Sequence, residues 1–93
     1  MTELALFEAL ALDCRVGTDG TVRYYSSSGQ LHRVYGPAVV CPSGYLAWYQ
    51  NGDLHRLDGP AIEYPDGTHR WYIDDNELTQ AEWQQAVVSM ESV

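Results

Sequence analysis

The sequence predicts an α+β fold: an antiparallel β-meander of about six or seven short strands, built from hairpin units, with a capping helix at each end. The segment Leu31-His32-Arg33-Val34-Tyr35-Gly36-Pro37-Ala38 returns after 23 residues as Leu54-His55-Arg56-Leu57-Asp58-Gly59-Pro60-Ala61, and self-similarity at a fixed period marks a repeat architecture. Inside each copy, turn formers alternate with short aromatic and β-branched runs, the signal of hairpins. Both ends of the chain exchange that pattern for apolar residues at helical spacing.

A chain of 93 residues makes one domain, residues 1–93, and a domain of this size buries only about 60–65% of its unfolded surface. Its core is therefore thin. The apolar fraction of 45% belongs to a folded protein and not to a disordered one. Thirteen Asp and Glu oppose five Arg and no Lys, for a formal net charge of −8. Direct binding to DNA or RNA needs a basic footprint, and anionic membranes attract the same sign, so both partners are disfavoured.

Residues 1–11 open the chain with Leu4, Leu6, Phe7, Leu10 and Ala11 on one stripe and Glu8 opposite, which predicts an amphipathic helix. The same stretch does not read as a signal peptide, because no basic residues precede it and Glu3 and Glu8 interrupt the apolar run. No run reaches the roughly 18 apolar residues of a membrane span. A cytoplasmic protein is the expectation. Cys14 and Cys41 are too few for a disulfide framework and read as small strand residues.

The hairpin region spans residues 12–78. Pro42-Ser43-Gly44 matches Pro65-Asp66-Gly67, and Trp48-Tyr49 matches Trp71-Tyr72, again 23 residues apart. An earlier copy shows at Asp19-Gly20 and Tyr24-Tyr25, offset by 24 because Ser26-Ser27-Ser28-Gly29 is one residue longer than Gln50-Asn51-Gly52. Asp66-Gly67, Ser43-Gly44 and Asn51-Gly52 supply the tight turns. After Asp74-Asp75-Asn76, Leu78 begins where the next Leu-His-Arg belongs, but Thr79-Gln80 follows and the array stops. Residues 79–93 then read as a helix. Thr79 and Glu82 fit a capping box, and Trp83, Ala86, Val87 and Met90 share one face.

The pattern Leu-His-Arg-x-x-Gly-Pro-Ala, then Pro-x-Gly, then Trp-Tyr-x-Asn-Gly, resembles the MORN-like repeats of small bacteriophage and large-virus proteins. The likeness covers about Asp19 to Leu78. It implies a β-hairpin array, a phage or prophage origin, the host cell cytoplasm as location, and no catalytic residues. The His-Arg pair and the glycine spacing depart from the better-known MORN consensus, so lipid binding is not carried over.

Chemistry-bearing residues are sparse. The pairs His32-Arg33 and His55-Arg56 fit either a phosphate-binding site or the same local job done twice, and their return within the whole motif favours the second. In that reading each His stacks on a neighbouring ring and each Arg bridges to an acid such as Asp58 or Asp66. The histidines lack metal-ligand spacing. No nucleophile with its base, carboxylate dyad or phosphate-binding glycine loop is evident, so neither enzyme activity nor a cofactor or metal is expected.

Binding is the remaining class. Tyr25, Tyr49 and Tyr72 fall on alternate strand positions and are candidates for an exposed anchor face. Asp74, Asp75 and Glu77 cluster at a turn, with Glu82 one helical turn away, and suit a basic groove whose phosphate ligand they mimic. The expected function is a non-enzymatic interaction module that inhibits a host defence protein, of anti-CRISPR or anti-restriction type, through this acidic or aromatic surface. The alternative is a structural protein that self-associates as a homodimer through open sheet edges or the Leu4-Phe7-Leu10 stripe.

Overall fold

The computed structural model describes residues 12–91. The helix expected over residues 1–11 lies outside them. The strands are β1 (Asp13–Val16), β2 (Val22–Tyr25), β3 (Val39–Val40), β4 (Leu46–Ala47), β5 (Tyr49–Gln50), β6 (Asp53–Leu54), β7 (Ile62–Glu63), β8 (His69–Ile73) and β9 (Asn76–Leu78), followed by helix α1 (Gln80–Glu91). Every pairing is antiparallel. Seven strands form one sheet in the order β1-β2-β3-β4-β7-β8-β9, while β5 and β6 pair separately.

The strands outnumber the expected six or seven for a local reason. β4 and β5 are one extended segment that changes partner at Trp48, whose N–H donates to the Ala61 carbonyl and whose carbonyl accepts from His55 N–H. The hairpin region also ends on one further strand, β9, which pairs with β8. Its register sets Glu77 opposite Tyr72, as Leu54 opposes Tyr49. Leu78 therefore sits one position beyond the place that Leu54 occupies.

Cross-strand register puts Val39, Ala47, Ile62 and Arg70 in one row across the sheet. Side chains alternate between faces along a strand, so Cys41, Tyr45, Tyr49, Tyr64 and Tyr72 share that face. It is the core face. Val39, Ala47, Ala61, Ile62 and Tyr72 form the buried cluster, and Leu31, Tyr45, Tyr49, Leu54 and Tyr64 pack against it. The other face carries Trp48 and Trp71. No large side chain is fully buried among the described residues, which fits the thin core expected of so short a chain.

The turns between β1 and β2, β3 and β4, and β7 and β8 stack along one end of the strands. Gly20 has a φ of 86°, and a Cβ there would lie 2.9 Å from Pro42 Cγ, so the proline of one turn fills the space that the glycine of the previous one leaves open.

Helix α1 begins with the capping box. Glu82 N–H donates to Thr79 Oγ1 at 3.1 Å, and Thr79 N–H donates to Glu82 Oε1 at 2.9 Å. Trp83, Ala86 and Val87 are half-buried and the helix packs on β8 and β9. Met90, expected on the same face, is exposed.

Candidate functional site

The two His-Arg pairs make matching contacts. His32 Nδ1 accepts from Asn51 N–H at 3.0 Å, and His55 Nδ1 accepts from Asp74 N–H at 3.1 Å. His32 therefore binds the tip of the β5–β6 turn and His55 the tip of the β8–β9 turn, instead of stacking on a ring. Both rings must carry their proton on Nε2 to do so. Arg33 lies over the Tyr24 ring at 4.1 Å and Arg56 over the Trp48 ring at 3.8 Å. Their Nη1 groups donate to the carbonyls of Pro37 at 3.3 Å and Pro60 at 3.0 Å. Arg56 also pairs with Asp58 at 2.8 Å and Glu63 at 3.2 Å. Asp66, the other acid expected to hold an arginine, accepts the backbone N–H of Thr68.

The aromatic candidates fare differently from one another. Tyr72 is 9% exposed and belongs to the core cluster, while Tyr49 is half-buried against that cluster. Both face inward because the tyrosine face of the sheet is the packed one, which corrects the expected anchor face. Burial, and then the nearby Asp75 carboxylate, push the Tyr49 hydroxyl above its ordinary pKa. Tyr25 stands apart in β2, half-buried, with Arg15 at 5.5 Å from its ring centre.

Asp74, Asp75, Glu77 and Glu82 are all exposed, yet two are committed to the fold. Glu77 takes both Arg70 Nε and Nη2, at 2.8 and 2.7 Å, and that guanidinium holds its carboxyl below the ordinary range. Glu82 is the reciprocal partner in the capping box. The structure therefore separates these two from the turn pair. Asp74 Oδ1 lies 3.2 Å from His55 Nδ1, and Asp75 Oδ1 accepts from Leu54 N–H at 3.2 Å.

That last bond brings in a residue the sequence reading missed. Asp53 precedes Leu54 in β6, so Asp53, Asp74 and Asp75 gather at one end of the molecule. Among the described residues none of the three is paired with an arginine. The signal lay in the repeat: Asn51-Gly52 and Asp74-Asp75 are turns one period apart, so a residue just after the first lies beside the second. An open groove of about 480 Å³ between β8, β9 and the start of α1 is lined by His69, Trp71, Leu78 and Gln80 among others. No group of His, Cys, Asp and Glu among the described residues could hold a metal ion. No described helix is long and apolar enough to cross a membrane. No family model, no characterised protein and no solved structure matches this chain.

Proposed function

We propose that this chain is a MORN-like hairpin-repeat module that acts by binding another protein, without catalysis, and that its binding surface is the acidic hairpin end formed by Asp53, Asp74 and Asp75. The observation that carries this reading is the division among the carboxylates. Glu77 is paired with Arg70, and Asp58 and Glu63 share Arg56, whereas the three aspartates at the turn end are exposed and have no described arginine partner. Leu54 N–H holds the Asp75 carboxylate and His55 Nδ1 accepts from Asp74 N–H, so the turn presents its negative charge from a bonded hairpin. A net charge of −8 adds long-range attraction to a basic groove. The repeat reading is supported by the paired contacts of His32 and His55, and of Arg33 and Arg56, at the period of the sequence motif.

The partner class is a nucleic-acid-handling protein of a bacterial defence system, reached in the host cytoplasm, as the resemblance to phage proteins implies. The test measures DNA cleavage by a panel of purified restriction and CRISPR effector complexes, with and without this protein. Inhibition is expected for at least one effector. It should fall at least tenfold in the variant Asp53→Asn/Asp74→Asn/Asp75→Asn, and also when salt rises from low to about 0.5 M and the Debye length shrinks below about 5 Å. Inhibition of none, or equal potency of parent and variant at both salt levels, ends this reading.

Self-assembly is the second reading, favoured by β1. All four of its residues are exposed and it pairs only with β2 among the described strands, which leaves a ladder edge open. Light scattering across a hundredfold concentration range distinguishes the two, since an assembly protein grows in mass on its own.

A further inference from the structure

Arg33 and Arg56 each lie over the ring that the preceding hairpin presents, Tyr24 and Trp48. The next ring in the series is Trp71, and 23 residues after Arg56 the chain has Thr79. Thr79 is the N-cap of α1. One helical turn on, Trp83, whose N–H donates to the Thr79 carbonyl at 2.9 Å, lies against Trp71 with ring centres 4.6 Å apart. Its Nε1–H donates to the Arg56 carbonyl at 2.8 Å. The indole is thereby tied to both of the last two members of the series.

We propose that Trp71 offers a guanidinium-accepting slot, that Trp83 fills it in place of the arginine a further hairpin would bring, and that α1 closes the array by plugging it. The inference rests on the hairpin-repeat reading above. An aromatic face attracts cations, and a flat guanidinium stacks on it while still donating in its own plane, which a compact ammonium cannot match. An indole replaces the guanidinium differently: Trp83 lies on Trp71 tilted by 49°, and its N–H supplies the in-plane donor. A helix that starts at position 79 packs the chain on β8 and β9 in place of a further hairpin.

The test compares Trp83→Ala, Trp83→Arg and Trp83→Lys by thermal melting and light scattering. Trp83→Ala should lower Tm by about 5–15 °C and gain mass with concentration as Trp71 and β9 are uncovered. Trp83→Arg should recover at least half of the lost Tm and the parent's mass, and Trp83→Lys little of either. If Ala and Lys fail to fold while Arg folds, the slot stands. Equal behaviour of Arg and Lys, failure of all three to fold, or an alanine variant with the parent's Tm and mass overturns it. Arg33→Lys and Arg56→Lys are melted alongside. If these lose stability but Trp83→Arg recovers none, the repeat reading survives and the plug does not. If neither lysine variant loses stability, the slot is wrong throughout the array.

Discussion

Arg56 concentrates the residue-scale energetics of this protein. Its guanidinium rests on Trp48, pairs with Asp58 and Glu63, and donates to the Pro60 carbonyl, with its side chain only 19% exposed. Gly59 makes the arrangement possible by what it lacks, since a Cβ there would come within 2.7 Å of Arg56 Cζ. Gly59→Ala should therefore push the guanidinium off its ring and cost about 1–3 kcal/mol, seen as a lower urea midpoint at unchanged slope. At Gly36 the matching approach to Arg33 is 3.0 Å, so Gly36→Ala should cost less. The opposite order would show that the glycines serve something other than the arginines. Much of this was legible in the sequence, because a motif that returns whole implies a job done twice. What the histidines do was not. A ring nitrogen accepting from a turn N–H 19 residues away is a long-range contact, and composition alone favours stacking for an imidazole beside so many rings.

Elements show the same division between local and non-local signals. The capping box was readable because Thr79 and Glu82 are three residues apart and each bond closes within one turn. Thr79→Ala should cost about 1 kcal/mol and let the helical circular-dichroism signal melt several degrees earlier. β9 was not readable. Asn76-Glu77-Leu78 holds no β-branched or aromatic residue, and it is a strand because β8 offers it a ladder. The turn that joins them carries a cost. Asp74 and Asp75 have φ of 48° and 69°, in the left-handed region that favours glycine and asparagine, while the equivalent turn is Asn51-Gly52. Asp74→Asn/Asp75→Gly should therefore gain about 0.5–1 kcal/mol of stability while removing two carboxylates from the proposed binding end. A variant that melts higher but binds a basic partner less tightly would separate the two roles of this turn. Loss of stability instead would mean that the Asp75 bond to Leu54 outweighs the backbone strain.

For the whole molecule, charge works in two directions as pH falls. From neutrality toward the sequence pI of about 4.5, protonation relieves the self-repulsion of a −8 chain, while a proton taken up at Nδ1 of His32 or His55 breaks its bond to the Asn51 or Asp74 N–H. Below that range specific bonds are lost. Asp19 and Asp66 each accept a backbone N–H two residues ahead, from Thr21 and Thr68, and those bonds hold both carboxyls below their ordinary values. Glu77 is lowered chiefly by the Arg70 guanidinium, which the same pairing pushes well above its usual range. A folded-state pKa below the unfolded one means that the unfolded chain takes up the proton first. The stability these groups contribute is therefore complete above the ordinary carboxylate range and disappears as pH falls through their lowered folded values. Urea midpoints measured from pH 7 down to about pH 2.5 should drop most steeply below about pH 4. The variant Asp19→Ala/Asp66→Ala/Glu77→Gln should start less stable at pH 7 and lose less on acidification, so that the two curves converge at the acid end. Parallel curves would mean that the acid limb belongs to other carboxylates, and that the turn bonds stacked along the sheet end add no pH-dependent stability.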